Sequence, residues 1–510
     1  MAKPQFSKFA EERVGSFHQG LALIEANVSK QAWDLLDAPE KLNELALSDE
    51  EKFQLMLETN AVFHERIHYL DTFGTIAGAS CLAARFQLLN EFMKVAVLLK
   101  RDDLRWRLPL QDWIEESDVP PYVNHLAHFA VSHGKSMKIF MAAIEPITGE
   151  GHRAEFCVLL PFEVPGELHP TTRHIPAFPQ SIGVRKVDEK RIERQITVFH
   201  PLGCEAILEG RAHSMARSLL ESWFPDYPSE LLVSYGPPKR LPTVESAAEL
   251  GPEIAQAFDI YPVTDLMVSK YLRGKGTHQF QRNLILQLSD LALSKSLFIV
   301  RQDEEGTVTV DFKDAGTSLV SEVMNMPQIS EFPWNHPEET NAAYRDLLAR
   351  FREGGTWEEV GDFFPYNSVD IWQSFVAQEI TVPLLEERLR TNHAVYIRGM
   401  DLMQFALNAK LPRVEVVNDQ LICHDMPKPV QVAWAAQLIA GAIADQIFAG
   451  ATTIRCPRAH GLLPGMKTAD FGEGKCADSI RLGCGSCTDG VASREVNCMF
   501  NQALQAYSLV

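Results

Sequence analysis

The chain has 510 residues, 46% hydrophobic and 23% charged, which is enough for two to four domains with ordinary globular cores. Its net charge of -19 argues against nucleic acid as a main partner, because phosphate recognition needs basic surface. The nine cysteines are an odd number, and Met1-Ala2-Lys3-Pro4-Gln5-Phe6 has no apolar leader, so free thiols or metal ligands in a reducing cytoplasm fit better than a disulfide framework.

Residues 1–47 read as helical, with apolar positions at Trp33, Leu35, Leu36, Leu42 and Leu45. Ser48-Asp49-Glu50-Glu51 is a capping-box start, which predicts a helix running to about Phe73. Met56, Phe63, Ile67 and Leu70 recur at helical spacing and mark its buried face. Gly74 and Gly78 follow, and a second apolar helix, about Cys81 to Lys100, is expected to pack back as a hairpin. Pro120-Pro121 breaks the chain before a short helical pattern with His125 and His128. Pro161 to Gln180 holds five prolines and is expected to be an extended loop forming one wall or lid of a cleft.

From Gly203 to about Trp223 the pattern is helical again and ends at Pro225. Glu205, Glu209 and His213 share one face, beside an apolar stripe of Leu208, Ala212, Met215 and Leu219. Residues 226–242, with Gly236-Pro237-Pro238-Lys239, make the best domain boundary. Beyond it come helical segments at Tyr261 to Leu272 and Phe280 to Leu297, then a short strand within Gly306 to Phe312. Residues 337–410 are helical with breaks at Gly354-Gly355 and Pro365, and Val414 to Ile422 reads as a strand and turn. Val430 to Ala451 is very apolar, but Gln431, Gln437, Asp445 and Gln446 make a buried helix the better expectation than a membrane span. The fold class expected is mainly α (α+β), divided as 1–235, 236–410 and 411–510.

The chemistry concentrates at His64-Glu65-Arg66-Ile67-His68. In this H-E-x-x-H pattern two imidazoles lie one helical turn apart and can grip one metal ion, with a carboxylate beside them to take a proton from a metal-bound water. A catalytic zinc usually takes three protein ligands. The best third donor is Glu209, in Ile207-Leu208-Glu209-Gly210-Arg211-Ala212, and Glu205 is the alternative. Asp71, one turn beyond His68, is a candidate acceptor for a ligand histidine's second ring nitrogen.

Together these two stretches resemble the H-E-x-x-H and E-G-x-A signatures of gluzincin-type zinc metallopeptidases. The resemblance implies a zincin-like helical core within residues 1–235, with His64, His68 and Glu209 as zinc ligands and Glu65 as the base. It implies hydrolysis of a peptide bond in a protein or peptide substrate by a zinc-activated water. Roughly 140 residues separate the two signatures here, far more than in the aminopeptidase group. The chain also has no G-x-M-E-N-like element for a substrate amine, which favours an endopeptidase, or an unusual substrate, over an aminopeptidase. A donor for the developing oxyanion is also needed; His213 is the first candidate, followed by Tyr366, His393 and Tyr396.

Two other functional classes fit parts of the same pattern. Glu65-Arg66-Ile67-His68 is also an E-x-x-H unit of a di-iron carboxylate oxidoreductase, with Glu205 or Glu209 added. A non-catalytic protein held together by metal, its C-terminal half binding a partner, is the other.

Five cysteines fall between Cys456 and Cys498. Cys484-Gly485-Ser486-Cys487 is a C-x-x-C knuckle, and with Cys456 and Cys476 it could hold a structural zinc or an iron–sulfur cluster. Cys498 and His460 are further ligand candidates. The expected setting is cytoplasmic, without nucleic acid or membrane, and with room for a regulatory protein partner.

Overall fold

The computed structural model describes residues 15–26, 28–38, 41, 44–141, 147–150, 157–164, 171–185, 192–223, 264, 267, 278–302, 308–324, 336–352, 366–417, 420–454 and 499–509. Within these the fold is mainly helical with small sheets, as the periodicities predict. The N-terminal region is more mixed than expected. Strands β1 (Gly15–His18) and β2 (Leu23–Ala26) precede helix α1 (Lys30–Asp37), and only the last matches the helical pattern. The two strands are four residues each, too short for an alternating pattern to stand out.

Helix α2 (Asp49–Gly74) begins at the predicted capping box. Ser48 Oγ accepts from the Glu51 amide at 3.3 Å, and the Glu51 carboxylate accepts from the Ser48 amide at 2.8 Å. Met56, Phe63, Ile67 and Leu70 are all buried, as their spacing requires. Thr75 alone separates α2 from α3 (Ile76–Arg101), and its hydroxyl caps α3 by accepting from the Gly78 amide at 3.1 Å. Gly78 is needed at this elbow, because a Cβ there would collide with the Thr72 backbone.

Helices α4 (Leu110–Ile114) and α5 (Pro121–Met141) lead into a four-stranded antiparallel sheet in the order β3-β6-β5-β4. Its strands are β3 (Ile147–Glu150), β4 (Val158–Val164), β5 (Thr171–Arg185) and β6 (Ile192–Pro201). Residues 161–164 and 171–180 of the proline-rich stretch are therefore paired strand rather than extended loop, with Pro161 opposite His174 and Pro179 opposite Phe199, and Pro165 and Pro170 lie outside the described residues. Prolines are tolerated where the backbone nitrogen is not asked to donate; Pro176 still serves as an acceptor, taking the Leu202 amide at 2.8 Å.

Strand β6 feeds directly into α6 (Cys204–Trp223). Then follow α7 (His278–Ser294), the hairpin β7 (Leu297–Gln302) and β8 (Val308–Lys313), α8 (Ala315–Met324) and α9 (Glu338–Arg352). Helix α10 (Tyr366–Phe375) continues through a π-helical turn at Val376–Thr381 into α11 (Val382–Arg390). The chain goes on through α12 (Ala394–Ile397), α13 (Gly399–Asn408), β9 (Arg413–Val417), β10 (Gln420–His424), α14 (Lys428–Phe448) and α15 (Met499–Ala506).

Strand β2 pairs in parallel with β9, so the chain's first strands share a sheet with residues near 415, in the order β1-β2-β9-β10. The largest apolar cluster accordingly takes Leu23, Phe63, Met215, Trp372, Val414 and Trp434, from all three sequence regions. Two indole N–H groups reach across to the first loop, from Trp372 to Gly20 O at 2.9 Å and from Trp434 to Leu21 O at 2.8 Å. The apolar segment near 430–451 is the helix α14, packed into these cores. No described helix is long and apolar enough to cross a membrane.

Candidate metal centre

Helices α2 and α6 pack through their apolar stripes: Phe63, Ile67 and Leu70 on one side, Ala212, Met215 and Leu219 on the other. His64 and His68 stand at the edge of the first stripe and Glu209 at the edge of the second. Their side chains retain 13%, 11% and 24% of their exposure, so the group lies at a boundary that solvent reaches. The opposite side of α2 is tied to the β9 region. Arg66 lies 2.7 Å from Asp37 and 3.5 Å from Glu415, and the Tyr69 hydroxyl donates to Pro412 O at 2.5 Å.

The three side chains converge on a small triangle. His64 Nε2 lies 3.0 Å from Glu209 Oε2, His68 Nε2 lies 3.3 Å from the same oxygen, and the two Nε2 atoms are 2.9 Å apart. The rings meet edge to face, with centroids 4.6 Å apart. Donors around a tetrahedral zinc at about 2.0–2.1 Å are separated by about 3.3 Å. No edge of the triangle exceeds that, so one ion can touch all three atoms at ordinary bond lengths. Two imidazole nitrogens and a carboxylate oxygen are also a donor set suited to zinc. The residues fit the ion.

The electrostatics favour a cation at this point. Burial works against a charged His68, but the Glu209 carboxylate, with Glu65 and Asp71 beyond it, outweighs burial and raises its pKa to about 9. Burial would likewise raise Glu209, yet His68 and His64 together hold it well below the usual carboxylate range. A site that retains a proton this firmly is one that stabilises positive charge.

Glu209, rather than Glu205, completes the group with donor atoms in common reach. Glu65 is buried on α2 beside His64. His213 lies one turn beyond Glu209 on α6. Asp71, the candidate acceptor for a ligand histidine, bonds Arg211 instead. Its carboxylate is fully buried, and both oxygens accept from Arg211 Nε at 3.0 Å. His393 and Tyr396, considered as oxyanion donors, are buried with their polar groups engaged elsewhere. His393 bonds Arg388 and Asn341, and the Tyr396 hydroxyl faces Leu384 O. The side chain of Tyr366 lies outside the described residues, as do Cys456, Cys476, Cys484, Cys487, Cys498 and His460.

Sequence reasoning missed a buried ion network behind the triangle. Arg211 bridges Asp71 and Asp290, the latter at 3.5 Å. Asp290 accepts from Arg388 at 2.7 and 3.1 Å and lies 2.8 Å from His336 Nε2. The available signal was an arginine, Arg211, set next to the apolar stripe of α6. Asp290, His336 and His393 also bring ligand atoms within common reach. A cation is disfavoured there, because the Arg388 guanidinium already occupies the space, bonding Asp290 and lying 3.2 Å from His393 Nδ1. Burial, with the Arg388 guanidinium beside it, lowers the pKa of His393 to about 2, so the imidazole stays neutral.

Comparison with protein-family models, curated proteins and solved structures finds no match.

Proposed function

We propose that this chain is a zinc-dependent metallopeptidase that hydrolyses a peptide bond in a protein or peptide substrate. The observation that carries this is the meeting of His64, His68 and Glu209 on one triangle of zinc-ligand dimensions, from two helices far apart in the chain. A bound zinc supplies Lewis acidity and lowers the pKa of water towards neutrality. His64, His68 and Glu209 would hold the ion. Glu65 accepts a proton from the attacking water and returns it to the leaving amine, a task for a carboxylate placed next to the ligands. His213, one turn from Glu209, donates to the oxyanion as the carbonyl is attacked. Cys81, Cys157, Cys204 and Cys423 are free thiols, which fits a reducing cytoplasm.

The test is metal analysis of the purified chain together with Glu65→Gln. Zinc bound in the wild type, and retained in Glu65→Gln while cleavage of a peptide library is lost, is the expected result. No zinc in the wild type, paired iron instead, or full hydrolysis by Glu65→Gln overturns the assignment.

A further inference from the structure

Three donor atoms on two helices must be held within about 0.5 Å of their working geometry. Apolar stripes resist separation of α2 and α6 but are poor at stopping one helix from sliding along the other. Arg211 supplies a directional lock at the right place. It stands two residues beyond Glu209, and its partner Asp71 stands three beyond His68, so the pair closes between the same turns that carry the ligands.

Both side chains are fully buried. All three guanidinium nitrogens of Arg211 have fixed acceptors: Nε to Asp71 at 3.0 Å, Nη1 to Leu286 O at 2.8 Å and Nη2 to Tyr396 O at 2.6 Å. A planar fork bonded in three directions cannot rotate or translate without breaking a buried hydrogen bond. It pins α6 to α2 and both to α7 and α12. Such a network is a weak way to gain stability, since apolar side chains of the same volume often do as well. What it adds is position.

We propose that Arg211, through Asp71, is a positioning residue that sets Glu209 against His64 and His68, which rests on the assignment of those three as zinc ligands. Arg388 provides the internal control. It belongs to the same buried network, but its hydrogen bonds go to Asp290 and His393, on neither α2 nor α6. A role confined to holding the fold makes the two arginines equivalent, whereas a positioning role separates them.

The experiment compares Arg211→Lys with Arg388→Lys in the full chain. It measures zinc affinity by competition with a chromophoric chelator, the visible spectrum of the Co2+ form, and thermal stability without metal. Arg211→Lys is expected to bind zinc about 10- to 100-fold more weakly and to change the Co2+ bands. Arg388→Lys is expected to lose thermal stability while keeping wild-type zinc affinity and spectrum. Unchanged affinity and spectrum in Arg211→Lys overturn the inference, as does a parallel loss in both variants that follows their stability. If Arg211→Lys does not fold, Asp71→Asn, which keeps the side chain's size and one acceptor oxygen, carries the same comparison with the same outcomes. A wild-type chain that binds no zinc instead removes the assignment on which the inference rests.

Discussion

His64 and Glu209, 145 positions apart in the chain, meet at 3.0 Å across the α2–α6 interface. Glu205, one turn earlier on α6, does not join the group of donors in common reach. On the proposed zinc assignment, removing Glu209 deletes a ligand and removing Glu205 does not. Glu209→Ala should weaken zinc binding by more than the roughly 10- to 100-fold typical of losing a ligand's supporting partner, while Glu205→Ala should leave it near the wild-type value. Chelator competition measures both. Tight zinc binding by Glu209→Ala would transfer the ligand role to another residue.

The local half of this site was legible in the sequence. A capping box, a helical stripe and two histidines one turn apart are all properties of consecutive residues, and α2 follows them. Glu209 was legible because Gly210 and Ala212 repeat a known spacing beside it. The pairing of Arg211 with Asp71 was not, since nothing local to either residue records a partner 140 positions away. The same holds for β2 against β9, where two short strands meet from opposite ends of the chain. Pro161, Pro176 and Pro179 point to a loop only if each backbone nitrogen is assumed to be needed as a donor, and in β4 and β5 it is not.

The start of α2 can be weakened without touching the site. Ser48 and Glu51 satisfy each other's backbone amides at an exposed end of the helix, more than three turns before His64. Ser48→Ala should cost about 1 kcal/mol of stability, read from urea unfolding, with zinc affinity unchanged. A fall in zinc affinity would mean that the helix end and the metal ligands move together.

Two glycines offer opposite expectations for the same substitution. In Gly78→Ala the new methyl would lie 2.5 Å from Thr72 Cα, against backbone that cannot swing aside. That variant should be destabilised by about 1–3 kcal/mol or more. Gly134 sits exposed within α5 with nothing near its missing Cβ, so Gly134→Ala should gain about 0.5–1 kcal/mol from helix propensity. Denaturant titration of the two variants gives the comparison, and equal shifts would contradict the packing described at the Thr75 elbow.

The acid limit of stability should be set in part by Glu415 on β9. Its side chain is almost completely buried beside Arg413 at 2.6 Å, His424 at 2.7 Å and Arg66 at 3.5 Å. Burial raises the carboxyl's pKa, but the hydrogen bond with His424 and the Arg413 and Arg66 guanidiniums outweigh it and bring the folded-state value to about 2, against 4.5 ordinarily. A depressed carboxyl pKa contributes stability that is fully present above the unfolded value. The contribution fades as pH falls from 4.5 through 2, and its full size is on the order of 3 kcal/mol. Glu415→Gln removes the charge at every pH. Urea unfolding at pH 7 should therefore show the variant clearly less stable than wild type, and the gap should narrow steadily between pH 5 and pH 3, where the carboxyl of the unfolded wild-type chain takes up a proton while the folded one stays ionised. A gap that stays constant over that range would mean that the side chain stabilises through its shape and hydrogen bonds, and that its charge contributes nothing.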